Sequence, residues 1–166
     1  MTARTPRAVL LGTAALIEAL GGLLLAALIV RLLVRAGPRP VVLVLAAALA
    51  LVAGLTLLAG LWLWQGHLRG RVLSLAMQAL QLPHVVTSPV VFHFDAPASV
   101  AVGLGPDGTP HAAAIWRAGL RVAWDADPDP TWIGVNLVAL FVVAVVVLTW
   151  RRRTAAMPAP GPAAAG

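Results

Sequence analysis

The stretch that decides the fold is AVLLGTAALIEALGGLLLAALIVRLLV, residues 8–34, in which Glu18 and Arg31 are the charged residues. At about 1.5 Å per residue, a helix of this length exceeds the roughly 30 Å hydrocarbon layer of a bilayer. A signal peptide has an apolar region of only about 7 to 15 residues. The stretch is therefore predicted to be a retained membrane span.

The rest of the chain repeats this apolar character. Of its 166 residues, 60% are hydrophobic and 11% are charged, whereas a soluble domain carries about 25% charged residues. This excess of apolar surface excludes a water-soluble enzyme and predicts an all-α membrane protein, a bundle of four transmembrane helices with a small extracytoplasmic insert between helices 3 and 4. The predicted segments are a cytoplasmic leader at 1–7, spans at 8–35, 41–64, 72–92 and 132–150, a cytoplasmic basic loop at 65–71, the insert at 93–131, and a cytoplasmic basic stop with a disordered tail at 151–166.

The insert and the third span carry signals of their own. Apolar residues alternate along 99–104 and 120–124, on either side of the turn signal Pro106-Asp107-Gly108, which predicts a small hairpin or a three-stranded sheet. The third span is the least regular, because polar residues and two prolines, Pro83 and Pro89, interrupt it.

Arginine positions give the orientation. With four spans, seven arginines lie inside and five outside; without the third span the count is six and six. Because cytoplasmic loops carry the excess of basic residues, four spans with both termini in the cytoplasm of a bacterial inner membrane is the predicted topology. The residues that mark it are Arg69, Arg71, Arg151, Arg152 and Arg153, and the predicted interface anchors are Trp62, Trp64, Trp132 and Trp150.

Glu18 is the carboxylate within the predicted spans. An ionisable group near the bilayer midplane is costly unless it stays protonated or finds a partner. Ala14, Glu18 and Gly22 recur at intervals of four and form a small-residue stripe that lets another helix approach. In the third span, Ser74, Gln78 and Gln81 share one face. The predicted intramembrane polar cluster is therefore Glu18, Gln78 and Gln81, either as a structural hydrogen-bonded group or as a proton-carrying site.

Two resemblances accompany this interpretation. The string LGTAALIE at 11–18 resembles the first helix of small multidrug resistance transporters, which have four spans and a membrane-embedded Glu in that helix. It implies a proton-coupled transporter or an oligomeric channel centred on Glu18. Residues 60–83, with GLWLWQG at 60–66 and QALQLP at 78–83, are similar to uncharacterised small four-helix membrane proteins of actinobacteria and other high-GC bacteria. That similarity implies four spans, and it implies no particular activity.

No pattern for catalysis, cofactors or metals emerges. His93 and Asp95 would point to the same side of a strand, with His111 across the turn, but there is no helical metal-binding pair. Asp125, Asp127 and Asp129 resemble the start of a calcium loop, yet Pro130 replaces its glycine. Without cysteine the chain has no thiolate ligands, and its arginines form no nucleic-acid-binding stripe.

The sequence thus predicts a multi-pass membrane protein without catalytic activity, cofactor, metal or nucleic-acid partner. Its predicted role is structural, accessory or partner-binding, with the bilayer, a second copy or another membrane protein as partner. Transport through Glu18 is the alternative. A third possibility is a ligand sensor, with an apolar pocket under Val100, Val102, Val122 and Trp124.

Overall fold

The chain folds as a mixed α/β protein of four helices and a six-stranded antiparallel sheet, in a computed structural model that describes residues 5–96, 99–115, 119–124, 127–128 and 130–155. The prediction of an all-α bundle with four spans is therefore wrong. In chain order the elements are α1 (Pro6–Ala36), α2 (Pro40–Trp64), α3 (Leu68–Gln81), β1 (Pro83–Val86), β2 (Val90–Asp95), β3 (Ser99–Leu104), β4 (Pro110–Ile115), β5 (Gly119–Trp124), β6 (Trp132–Asn136) and α4 (Leu137–Ala155).

Helices α1 and α2 form a long antiparallel hairpin, as the two uninterrupted apolar runs predict. The chain turns at Gly37, whose φ of 71° suits glycine. Both helices are long and apolar enough to cross a membrane, and among the described residues they are the two that meet this test. Only 22% of the most apolar window of each helix is buried within the chain. Most of their apolar side chains therefore point outward.

The predicted third span at 72–92 is instead a short helix followed by two strands. Helix α3 ends at Gln81 because Pro83 has no N–H to continue the helical hydrogen bonds. The residues that follow are rich in β-branched valine, which packs well on a pleated sheet. Strands β1 and β2 pair antiparallel, with His84 opposite His93. Residues 65–71 are likewise not one loop, since α3 begins at Leu68.

The predicted fourth span at 132–150 divides at Asn136. Its first five residues form β6, which lies between β1 and β3 in the sheet. The Asn136 side-chain oxygen accepts a hydrogen bond from the N–H of Val138 at 3.0 Å and so caps the start of α4. A continuous apolar run does not distinguish a buried strand from a helix, which is why the sequence did not reveal this boundary.

The sheet has the order β4-β3-β6-β1-β2-β5. It contains the predicted strands at 99–104 and 120–124 and the turn at Gly108 (φ 80°), but it is larger than the predicted hairpin or three-stranded sheet. Alternation and register divide its residues between two faces. One of them, here called the apolar face, exposes a set of large hydrophobic side chains: Val102, Leu104, Leu120, Val122, Trp124, Ile133 and Val135.

Two apolar clusters join these elements. The first contains Ala14 and Ala15 of α1, Leu63 of α2 and three valines of α4. The second brings Phe94 and Ala96, at the end of β2, against the middle of the α1–α2 hairpin. At the junction of helices and sheet, the N–H of Asn136 donates to the carbonyl of Leu82 at 3.0 Å. The chain therefore enters and leaves the sheet at neighbouring points.

Candidate functional sites

A group of polar side chains, here called the helix cluster, connects α1 to α3. Glu18 Oε1 accepts hydrogen bonds from Ser74 Oγ at 2.5 Å and from Gln78 Nε2 at 3.0 Å. The spacing of four residues places Ser74 and Gln78 one above the other on α3, so that both reach the same oxygen. The structure thus brings two predicted cluster residues, Glu18 and Gln78, together. Gln81 is buried on the same helix, but its Nε2 has no hydrogen-bond partner among the described residues.

The helix cluster is closed to solvent. Glu18 is 1% exposed, and Ser74 and Gln78 are equally buried. On the α2 side, a Cβ added at Gly60 would lie 3.2 Å from Glu18 Cβ, which shows how closely that helix covers the carboxylate. The arrangement can hold α1 and α3 together through buried hydrogen bonds. Among the described residues, Glu18 is enclosed and almost inaccessible to solvent.

A second group, the histidine cluster, consists of His84, His93 and Asp95 on strands β1 and β2. His84 lies opposite His93 across the strand pair, and their rings are stacked, with centroids 4.7 Å apart and planes 6° from parallel. His93 Nδ1 lies 2.8 Å from Asp95 Oδ2. Period-2 alternation puts His93 and Asp95 on the same side of β2, as predicted. Each of the three residues offers a ligand atom, and these atoms lie within 4.8 Å of one another.

Burial sets the chemical character of this cluster. His84 and Asp95 are almost fully buried, and the His93 side chain is 12% exposed. The pKa of His84 is lowered from its ordinary value, first by burial and then by the charge of His93, while the Asp95 carboxylate opposes the shift. A neutral imidazole keeps one nitrogen free to accept a hydrogen bond or to bind a metal ion. Asp95 Oδ1 is buried and has no hydrogen-bond partner among the described residues.

An aromatic side chain completes the surroundings of His84. Trp132 stacks on it, with ring centroids 4.6 Å apart, and His111 lies 6.1 Å from Trp132. Trp132 is 7% exposed and belongs to β6. It therefore lies within the sheet and not at the end of a helix, and its role as an interface anchor stays a prediction. His84 was not predicted as part of this cluster, because it lies in a segment predicted to be a helix. The signal for a strand at this point is the pair of valines between Pro83 and Pro89.

The other predicted residues lie outside both clusters. Trp62 and Trp64 are in the last turn of α2, where Trp64 is exposed, and Trp150 is half-buried near the end of α4. Their role as interface anchors stays a prediction. Arg69 is exposed on α3, whereas Arg71 is buried in that helix, so it does not lie in an exposed basic loop. Val102, Val122 and Trp124 lie exposed on the apolar face of the sheet.

Some predicted features cannot be compared with the structure. Arg151, Arg152 and Arg153 continue the backbone of α4, and their side chains are outside the described part of the chain. Two of the three acids of the calcium-like stretch, Asp125 and Asp129, also lie outside the described residues, as do the first four residues of the leader and the tail at 156–166.

Comparison with known proteins gives no relative: no family, no curated protein and no solved structure matches this chain. Function therefore has to be argued from the geometry of the two clusters and of the apolar surfaces.

Proposed function

We propose that this chain is a non-catalytic structural protein of a bacterial membrane, in which the α1–α2 hairpin is the anchor and the apolar face of the sheet contacts the bilayer. The closed helix cluster is the observation that carries this proposal. Transport through Glu18 needs water or solute to reach the carboxylate, and Glu18 is 1% exposed. Its two hydrogen bonds instead serve to hold α3 against α1.

The outward side chains of the hairpin support the anchoring role. Leu16, Leu23 and Val30 of α1, with Val44 and Leu51 of α2, are each more than half exposed. Contiguous exposed apolar surface of this extent is unfavourable in water and marks an interaction site. Lipid chains can cover this apolar surface, so no partner protein is needed to bury it.

The basic end of the helices supports an orientation. An Arg7 guanidinium nitrogen donates to the Thr149 carbonyl at 2.6 Å, so the start of α1 lies beside the end of α4. Trp64, at the end of α2, lies near Gly12 of α1. In the described segments, six arginines (Arg7, Arg69, Arg71 and Arg151–Arg153) belong to this end of the helices and three (Arg31, Arg35 and Arg39) to the opposite end. Because cytoplasmic segments carry the excess of basic residues, this difference favours an orientation with the first end in the cytoplasm.

The apolar face of the sheet is continuous with the anchor. Phe92 and Phe94 belong to this face, and both pack against the α1–α2 hairpin. The space beside the hairpin is where lipid would lie, so the rest of the apolar face meets the bilayer as well. Trp124, which is 73% exposed on this face, is a residue type that favours the membrane–water interface.

A substitution series at Glu18 tests the structural role. We expect Glu18→Ala to cost about 2 to 4 kcal/mol, because it leaves the buried donors of Ser74 and Gln78 without an acceptor. Glu18→Gln keeps an acceptor oxygen and should cost about 1 kcal/mol or less. The measurement is the unfolding midpoint of the full chain in detergent, together with proton flux in liposomes, which should be equally low in the wild type and both variants.

The control for this series is Thr56→Val. Thr56 is also buried, but its hydroxyl bonds only to Val52 within α2, so this change should move the midpoint less than Glu18→Ala. Proton flux that is present in the wild type and lost in Glu18→Gln would overturn the structural role in favour of transport.

A pair of neighbouring positions on β5 tests the contact between sheet and bilayer. Arg121 and Val122 are both exposed and point to opposite faces of the sheet. Because the chain has no cysteine, each can be replaced by a single cysteine and spin-labelled in liposomes. We expect the label at 122 to be relaxed by lipid-soluble oxygen and the label at 121 by a water-soluble nickel complex. Equal accessibility to the nickel complex at both positions would contradict the proposed contact.

A further inference from the structure

We propose that the histidine cluster binds one divalent transition-metal ion of the Zn²⁺ class through His84, His93 and Asp95. The proposal is independent of the membrane role, because it concerns the sheet alone. The three residues come from two hydrogen-bonded strands and are brought together by the register that sets His84 opposite His93.

Structural packing does not account for these residue types. A carboxylate that is 1% exposed is costly to bury unless both oxygens are satisfied. Oδ2 of Asp95 has His93 as its partner, but Oδ1 has none among the described residues. A cation bound at the carboxylate would offset this cost. Val91, on the same side of β2, shows that an apolar residue can be buried there.

The distances are close to those of a metal site. Zn²⁺ binds imidazole nitrogen and carboxylate oxygen at about 2.0 to 2.2 Å, so two ligand atoms in a tetrahedral site lie about 3.3 Å apart. His93 Nδ1 and Asp95 Oδ2 are already within this separation, at 2.8 Å. The widest separation among the three ligand atoms is at most 4.8 Å. Closing this gap of about 1.5 Å requires the His93 ring to rotate out of its stack with His84, because two parallel stacked rings cannot both point an in-plane nitrogen at one ion.

The ligand set selects the class of ion. Two imidazoles and one carboxylate suit Zn²⁺, Ni²⁺ and Cu²⁺ better than Ca²⁺ or Mg²⁺, which prefer oxygen ligands only. The chain has no cysteine to favour a softer ion. Three protein ligands leave the fourth tetrahedral position to a water molecule. The partly exposed side chain of His93 gives the ion a route from solvent.

The surroundings hold the His84 ring in place. Trp132 packs on the face of the His84 ring opposite to His93, which restricts rotation of that imidazole. Arg121 is the register partner of His93 on β5 and is the charged residue that could repel a cation. Arg121 is exposed, so water screens its charge.

The test uses the full chain in detergent, purified without a histidine tag and stripped with a chelator. Equilibrium dialysis against Zn²⁺ should give about one ion per chain for the wild type. His93→Ala and the nearly isosteric Asp95→Asn should each weaken binding by at least about tenfold. His67→Ala is the matched control, because His67 is an exposed histidine at the start of α3, and it should bind as the wild type does.

A spectroscopic measurement keeps the proposal falsifiable if the variants fold poorly. Co²⁺ replaces Zn²⁺ in sites of this kind, and the wild-type protein should show the intense visible absorption of a tetrahedral complex, which Zn²⁺ then removes. Failure of the wild type to bind Zn²⁺ stoichiometrically, or unchanged binding in both His93→Ala and Asp95→Asn, would overturn the proposal. Neither result would bear on the outcome of the Glu18 series.

Discussion

The Gly134→Val variant is expected to lose the pairing of β3 with β6 and to be destabilised by more than about 3 kcal/mol. A Cβ at residue 134 would overlap the carbonyl oxygen of Val102 and would lie 2.8 Å from Trp132 Cζ3. The opposite residue is Gly103, where a Cβ would overlap the carbonyl of Ile133. Because the obstructing atoms are mainly backbone, no side-chain rotation relieves the clash.

The position of β6 makes this effect large. The strand is hydrogen-bonded to β1 on one side and β3 on the other, so it links the β3–β4 hairpin to the rest of the sheet. The measurement is the unfolding midpoint in detergent, combined with hydrogen exchange of peptides from β3 and β6. Exchange should rise in these strands first.

The matched control for Gly134→Val is Ala112→Val. Ala112 is exposed on β4, at the edge of the sheet, so an added side chain there should change stability by about 0.5 kcal/mol or less. Equal midpoints for the two variants would contradict the close approach of β3 and β6.

The sequence predicted the two long helices almost to the residue. The predicted helices at 8–35 and 41–64 correspond to α1 and α2, because apolar runs of this length are too long for strands and indicate helices. The stripe of Ala14, Glu18 and Gly22 is buried, as its spacing predicts. Local periodicity suffices for such features because the residues concerned are close together on one helix.

The sheet could not be predicted in the same way. Strands β1 and β6 were hidden inside apolar runs, and their identity depends on pairing between residues far apart in the chain, such as Val85 with Ile133. The histidine cluster depends on the same long-range information. His93 and Asp95 were recognisable as strand neighbours, but His84 joins them only once the register of β1 against β2 is known.

The two clusters lie in different parts of the fold and differ in their chemical groups. The helix cluster is shared between helices, and one oxygen of Glu18 accepts both of its hydrogen bonds, while Glu18 Oε2 has no hydrogen-bond partner among the described residues. The histidine cluster belongs to the sheet and leaves a buried carboxylate oxygen without a partner. The difference lies in the residue types: the helix cluster joins one carboxylate to a hydroxyl and an amide, whereas the histidine cluster brings two imidazoles and a carboxylate within 4.8 Å of one another. We therefore propose a structural role for the first and a ligand for the second.

The close crossing of α1 and α2 leads to the second large expected effect, that of Gly60→Val. A Cβ at residue 60 would lie 2.8 Å from the Ala15 carbonyl oxygen and 2.9 Å from the Ala19 nitrogen. The added side chain would push the helices apart and draw Glu18 away from Ser74, at an expected cost of about 3 kcal/mol or more. The unfolding midpoint in detergent is the measurement.

Gly54→Val is the matched control on the same helix, and it also tests which face of α2 packs against α1. The sequence suggests a packing ridge of Ala46, Ala50 and Gly54, but Ala50 and Gly54 are exposed, and a Cβ at Gly54 would meet nothing within 4 Å. The buried face instead contains Ala53 and Gly60. Spacing alone shows that small residues share a face, and it does not show which face meets the partner helix. Gly54→Val should therefore leave the midpoint unchanged or raise it slightly, and a loss as large as that of Gly60→Val would place the crossing on the other face.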